Sequence, residues 1–290
     1  MTKVSLIGYA SLDYPIILSG LFRANWTTAI RHRPPDAWPR PGGCHFYAAL
    51  PLARPGFDTS LVTWVGSDEM GALYRRCCTS RGIGVEGLAE ISPGATPACF
   101  LVYQSDGTCA CLIDFGFSGR ETITPPQEHC LRESDLICFT VAPPQATARA
   151  LQLARPHATL AWIAKNDPNS FTPELCQALG QRAHIIFCNS QERRLIDECA
   201  RERPAHQIVV ETNGAEAVTV HQGSRMTQLP VQPLTVLDTT GAGDTLAGGT
   251  LAALATGETD PCAAVAAGIE AARELLASRI PPGSISGEAQ

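Results

Sequence analysis

No stretch of the chain is apolar over enough residues to span a membrane as a helix. The opening Met1-Thr2-Lys3-Val4 runs straight into a strand pattern, without the apolar core of a secretory signal. Basic residues are in the minority: 22 Lys and Arg stand against 28 Asp and Glu, and the net charge of −6 gives no electrostatic footprint for nucleic acid. Cys-x-x-Cys does not occur among the 12 cysteines, and Cys77-Cys78 and Cys109-Ala110-Cys111 are not zinc spacings. Most cysteines fall in apolar runs (Cys99, Cys138, Cys188) or on predicted helices (Cys176, Cys199), which reads as a reduced, cytoplasmic protein with buried thiols. There is no internal repeat and no inter-domain linker. No Gly-Lys-Ser/Thr marks a Walker A loop, and no Gly-x-Gly-x-x-Gly follows the first strand.

What is present is 290 residues, 44% hydrophobic, which suits one large α/β domain spanning 1–290. Near its C-terminal end lies Val236-Leu237-Asp238-Thr239-Thr240-Gly241-Ala242-Gly243-Asp244-Thr245-Leu246-Ala247-Gly248-Gly249. An apolar run ends at Leu237, a Gly-rich turn follows, and an Ala/Leu pattern predicts a helix over Thr245–Ala255. A helix start presents unpaired N–H groups and a positive dipole end, so it attracts anions. Gly241 and Gly243 let the backbone come close to a phosphate. Asp244 would repel that anion unless it has work there, and the work that fits is taking a proton from a hydroxyl that attacks phosphorus.

This string, Asp-Thr-x-Gly-Ala-Gly-Asp, resembles the signature of the ribokinase-like (PfkB-type) sugar and nucleoside kinases. The resemblance implies that Asp244 is the catalytic base and that the amides of Gly241, Ala242 and Gly243 form the anion hole. It extends along nearly the whole chain. Asp13, after the first strand Lys3–Gly8, matches the family's sugar-binding carboxylate; a carboxylate accepts two hydroxyl protons at once, which suits a vicinal diol. Pro41-Gly42-Gly43 opens a helix as in the family's first signature, so Gly42, Gly43 and Tyr47 are predicted at the substrate. Most members carry Asn where this chain has Tyr47; a minority branch has an aromatic residue there. His45 reads as a polar wall of the pocket. Asp68 is predicted to cap a helix running to Arg81, and Arg120 to lie on a loop, solvated or paired.

Further on, Lys165-Asn166-Asp167-Pro168-Asn169 resembles the family's segment near the phosphates. Asn189-Ser190-Gln191-Glu192 matches Asn-x-x-Glu, whose Glu organises Mg²⁺, mostly through water. Thr212-Asn213-Gly214 resembles the segment that touches nucleotide phosphates. The resemblance thus places Lys165, Asn189, Thr212 and Gly214 at ATP and Glu192 at Mg²⁺. It also implies a monovalent-cation site, K⁺ in many members, made by Asp238, nearby carbonyls and the loop 279–284. The Ala-rich helix Pro261–Ser278 would line the adenine pocket.

Strand and helix patterns alternate after Asp135. Strands are predicted at Leu136–Val141, Ala158–Ala164, Ile185–Cys188, Gln207–Glu211 and Ala217–Val220. Helices are predicted at Pro144–Leu153, Pro173–Leu179 and Gln191–Arg201. Such alternation implies a mostly parallel sheet with helices on both faces, ligands binding beyond the strands' carboxyl ends. Ala98–Tyr103 and Thr108–Phe115 read as a hairpin turning at 105–107. With the Trp- and Arg-rich region 10–41, which includes a β-type run Trp26–Ile30, the hairpin 98–118 would form a small β lid. Tyr14, Phe22, Trp26 and Trp38 there need a ligand or second subunit to cover them, and lids of this family often pair in homodimers. The expected fold is therefore a three-layer α/β sandwich with a β lid, and the expected activity is transfer of a phosphate from ATP to a hydroxyl of a sugar or sugar-like polyol. Three alternatives stand beside it. One is a nucleoside kinase, in which Tyr47 could stack on a base. Another is a catalytically silent homologue, disfavoured by the presence of both Asp244 and Glu192. The last is a vitamin-precursor kinase, a class that lacks most of the lid.

Overall fold

The computed structural model describes residues 1–34, 38–199 and 203–280. The end of the predicted helix Gln191–Arg201, residues 281–284 of the predicted cation loop and the tail after Ser284 lie outside them.

Period-two alternation along the strands decides the layers. On β1 (Thr2–Ile7), Val4 and Leu6 belong to one apolar cluster and Ile7 to a second. On β9 (Leu136–Phe139), Leu136 and Cys138 join the first cluster, and Ile137 and Phe139 the second. On β10 (Thr159–Ile163), Ala161 and Ile163 are separated from Leu160 and Trp162 in the same way. A strand buried on both faces needs helices on both sides. The first cluster is closed by α1 (Cys44–Ala49), α2 (Glu69–Thr79), α7 (Ala242–Ala255) and α8 (Pro261–Ala277). The second is closed by α3 (Pro125–Glu133), α4 (Pro144–Leu153), α5 (Pro173–Arg182) and α6 (Ser190–Cys199).

The remaining strands of this layer are β5 (Phe57–Gly66), β6 (Leu88–Ile91), β11 (Ile185–Asn189), β12 (Ile208–Thr212), β13 (Ala217–Gln222) and β14 (Arg225–Pro230). Among the described residues the sheet runs β14-β13-β12-β11-β10-β9-β1-β5-β6. It is parallel from β12 to β6 and antiparallel through β13 and β14. The sequence pattern had no separate signal for β14, whose exposed residues alternate with half-buried ones, as befits an edge strand.

The second sheet holds β2 (Ser11–Leu18), β3 (Ile30–His32), β4 (Arg40–Gly42), β7 (Ala98–Tyr103) and β8 (Cys109–Asp114), in the order β3-β2-β7-β8 with β4 on β2. The predicted hairpin is present. The β-type run expected at Trp26–Ile30 is not a strand: Trp26 lies in an exposed turn, and pairing begins only at Ile30. Tyr14 packs against Trp38 and Phe100, whereas Phe22 and Trp26 stay open to solvent. Burial of thiols holds for Cys78, Cys99, Cys138, Cys176 and Cys188, while Cys109 and Cys111 on β8 are exposed. No described helix is long and apolar enough to cross a membrane.

Helix starts follow side-chain chemistry. Asp68 accepts the Gly71 N–H at 2.8 Å, and Thr124 and Gln127 form a capping box at α3. The first strand of the main sheet passes at Gly8–Ala10 into β2, which brings Asp13 to the junction of the two sheets. The carboxyl ends of β10, β11 and β12 deliver Lys165, Asn189 and Thr212 to the same side of the main sheet.

Candidate active site

Gly241 is the N-cap of α7 and has φ of 78°. Only glycine takes that conformation readily, and a Cβ there would lie 2.3 Å from the Tyr47 ring. The turn places Asp244 in the first turn of the helix, buried. Asp244 Oδ1 has no hydrogen-bond partner among the described residues. Its nearest charge is Lys165 Nζ at 3.4 Å, an ion-pair distance. A Cβ at Gly243 would meet nothing within 4 Å, so the helix N-terminus opens onto free space. An anion-attracting end, a buried carboxylate and the ammonium that pairs with it thus meet at one point.

Asp244 beside it raises the Lys165 ammonium above its ordinary value, against burial. Lys165 therefore stays charged. Apart from Lys3 it is the sequence's only lysine, in a chain that otherwise uses arginine. Glu192 is also buried here. Its Oε2 accepts the Asn189 N–H at 2.7 Å, and Asn189 Oδ1 accepts from the N–H groups of Gln191 and Glu192, both at 2.9 Å. The Asn189 side chain is thereby engaged as the cap of α6. Burial pushes the Glu192 carboxyl up and Lys165 pulls it down, with a net rise.

Ala242 and Gly243 also border a cavity of about 310 Å³. Thr212, Gly214, Gly243, Leu246, Ile269 and Ala272 are among its walls, so α8 contributes as the sequence implied.

The other half of the site is a buried polar chain. Ser11 donates to Asp13 Oδ1 at 2.8 Å and the Tyr47 hydroxyl to Oδ2 at 3.0 Å. Arg40 Nε donates to the Tyr47 oxygen at 3.1 Å, and Arg40 Nη2 lies 2.6 Å from Asp238 Oδ2. Burial pushes the Asp13 carboxyl above the usual carboxylate range despite these partners. Gly42 is needed for close approach, since a Cβ there would overlap Asp13 at 2.0 Å. Gly43 caps α1. His45 is fully buried beside the Tyr74 hydroxyl, and burial lowers its pKa to about 3. It is a neutral wall. Arg120 is exposed.

Two expectations need correction. Tyr47 is buried, with its ring against Gly241 and its hydroxyl on Asp13, so it offers no face for stacking a base. Asp238 does not fit a role as ligand of a free monovalent cation. Its carboxylate accepts from Tyr103 at 2.7 Å and from the Thr240 N–H at 3.0 Å, pairs with Arg40, and lies 3.5 Å from Arg279. Burial raises its pKa, but the two arginines together with the Tyr103 hydroxyl and the Thr240 N–H outweigh burial and lower it below its ordinary value.

The family profile described as pfkB family carbohydrate kinase matches residues 1–278. The chain belongs to this PfkB family. It is an ATP-dependent phosphotransferase with an alcohol group as acceptor. A curated relative, the ATP-dependent ribose-1-phosphate kinase of Halopiger xanaduensis, is 27% identical, the match covering 94% of each chain. The cytidine kinase of Thermococcus kodakarensis is also 27% identical, over 81% of this chain and 87% of its own. The Arabidopsis thaliana ribokinase complexed with ribose and ATP superposes with a TM-score of 0.77 at 17% identity, over 96% of this chain and 93% of that one. The second sheet is present, which sets this PfkB member apart from the lid-poor vitamin-precursor class weighed above.

Sequence reasoning missed Arg40 and Tyr103 as site residues. Arg40 stands just before Pro41-Gly42-Gly43, and that adjacency was its only signal; Tyr103, at the end of β7, carried none.

Proposed function

We propose that this PfkB member transfers the γ-phosphate of Mg²⁺-bound ATP to a hydroxyl of a ribosyl-type sugar or sugar-like polyol, with Asp244 as the base. The observation that carries this reading is the buried Asp244 carboxylate, its Oδ1 3.4 Å from Lys165 Nζ, at the open N-terminus of α7. Asp244 takes the acceptor's proton. The amides of Gly241, Ala242 and Gly243 stabilise charge on the transferring group, and Lys165 adds a fixed positive charge. Asp13, Gly42 and Gly43 orient the acceptor, with Tyr47 holding Asp13. The cavity along α8 takes the adenine, with Thr212 and Gly214 toward the phosphates.

Among the described residues no cluster of three or more His, Cys, Asp or Glu could hold a metal. One buried carboxylate suits Mg²⁺ nonetheless, because this ion keeps several waters and shares the substrate phosphates. Glu192 is that residue, and Mg²⁺ would neutralise charge on the leaving phosphates.

The acceptor reading leans on what the relatives have in common. Ribose 1-phosphate, cytidine and ribose all present a ribose ring, and a carboxylate such as Asp13 suits a vicinal diol. A nucleoside acceptor is the second reading, favoured by the cytidine kinase relative. A dimer through the small sheet completes the proposal: β8 exposes Leu112 and Ile113 at an edge, with Phe115 close by. Its cellular location is proposed to be the cytoplasm.

The deciding experiment is ADP release from Mg·ATP over a panel of ribose, ribose 1-phosphate, fructose, cyclitols, cytidine and inosine, with Asp244→Ala as control. Turnover with one class, reduced about 10²–10⁴-fold in the variant, supports the reading. Equal turnover in the variant would remove Asp244 from the mechanism.

A further inference from the structure

The turn that starts α7 offers two backbone carbonyls to one side, Asp238 O and Thr240 O. Arg279 Nη1 donates to both, at 3.0 and 2.6 Å, and the same nitrogen lies 3.5 Å from the Asp238 carboxylate. Two carbonyl oxygens and a carboxylate converging on a point are what a hard cation seeks. A guanidinium nitrogen occupies that point here. The carboxylate is closed on its other sides by Arg40, the Tyr103 hydroxyl and the Thr240 N–H. The Arg279 guanidinium lies 5.7 Å from the Tyr47 ring centroid. We propose that Arg279 is a built-in cation that does the work of a free monovalent ion in this chain, so that its phosphoryl transfer is independent of K⁺.

The work in question is orientation of the anion hole. A trans peptide holds its C=O and its N–H on opposite sides of one plane. Fixing the Thr240 carbonyl toward Arg279 therefore aims the Gly241 N–H away from Arg279. The Tyr103 hydroxyl, 2.5 Å from Thr240 Oγ1, braces the same turn from the second sheet. Arginine suits such a role because it remains protonated and offers several donors in a fixed plane. Arg279 acts through the turn and not on the substrate, so it is a positioning residue.

The test compares the intact chain with Arg279→Ala and Arg279→Lys, in tetramethylammonium chloride with and without added K⁺. Two quantities are read: ATP affinity by calorimetry, which requires no acceptor, and ADP release with the panel above. For the unaltered chain the expectation is that K⁺ changes neither quantity by more than about twofold. In tetramethylammonium, Arg279→Ala should lose turnover by about tenfold or more, a coupling of ordinary size. Added K⁺ or methylguanidinium should restore part of that loss. A merely structural role would show no such ion-specific rescue. Stimulation of the unaltered chain by K⁺ of about tenfold or more, in affinity or rate, would overturn the proposal. So would an Arg279→Ala variant that works normally in tetramethylammonium. Should Arg279→Ala melt too early to assay, Arg279→Lys and the unaltered chain still decide. If ATP binds but no acceptor on the panel reacts, the acceptor reading fails while the affinity arm judges Arg279 independently.

Discussion

The Tyr47 hydroxyl donates to Asp13 Oδ2 at 3.0 Å, while the Tyr47 ring lies against the backbone of Gly241. One side chain therefore spans the distance between Asp13 and the start of α7, the two places proposed to hold the acceptor and the transferring phosphate. A tyrosine in place of the family's more common Asn is thus a strut under the pocket floor.

Tyr47→Phe tests the strut. It keeps the ring against Gly241 but leaves a buried Asp13 oxygen and Arg40 Nε without their partner. Stability should fall by about 1–3 kcal/mol, the cost of unpaired buried polar groups. Acceptor KM should rise about tenfold, equivalent to about 1.4 kcal/mol, with ATP KM unchanged. Steady-state kinetics with the best acceptor and a melting curve read both effects. An unchanged acceptor KM would show that Asp13 needs no such support.

Gly241→Ala attacks the same contact from the other side. Alanine at φ of 78° is strained, and its Cβ would overlap the Tyr47 ring at 2.3 Å. The turn must shift, carrying its amides with it. The expected result is a loss of kcat of about 10²-fold, as for removal of one oxyanion-hole donor, with a stability loss of about 1–3 kcal/mol. Normal kcat in a correctly folded variant would mean that the Gly241 amide does not serve the reaction.

How much of this was readable beforehand depended on contiguity. The Gly241–Asp244 turn is one short string whose geometry is local, so the helix start and the carboxylate in its first turn follow from the residues themselves. Asn189 and Glu192 are likewise neighbours on one cap. The chain linking Asp13, Tyr47, Arg40, Asp238 and Arg279 is assembled from β2, α1, β4 and the two segments flanking α7 and α8, and no local pattern announces it. Tyr103 reaches Asp238 across 135 residues of sequence. The sequence put Arg279 at the start of the loop expected to hold a cation, but that its own guanidinium meets the Asp238 and Thr240 carbonyls emerges only from the fold. The strand at Ile30–His32 was misplaced because exposed strands of a small sheet carry little burial alternation.

His45 predicts a pH dependence of stability. Burial holds its pKa at about 3, below the ordinary 6.5, so the folded protein keeps it neutral while the unfolded chain protonates it. The unfolded state binds the extra proton between those values, so stability must fall as pH drops from about 6.5 toward 3. The slope from this one group approaches about 1.4 kcal/mol per pH unit. His45→Gln should flatten urea midpoints measured between pH 6.5 and 4 relative to the unaltered chain. An equal slope in both proteins would show that His45 titrates normally, and hence that the wall behind Gly43 is wet.

Ala272 can tell the two proposed pockets apart. It lies on α8, in the wall of the 310 Å³ cavity, together with Ile269 and Leu246. Ala272→Phe adds a ring where an adenine would lie, and a pocket already shaped by packed helices accommodates such a ring only by losing its occupant. ATP KM should rise about tenfold or more, equivalent to at least about 1.4 kcal/mol, while acceptor KM holds, because Asp13, Gly42 and Tyr47 are contributed by β2, β4 and α1 and not by α8. The reverse pattern, a raised acceptor KM with ATP unaffected, would exchange the two pockets and with them the direction from which Asp244 meets the phosphate.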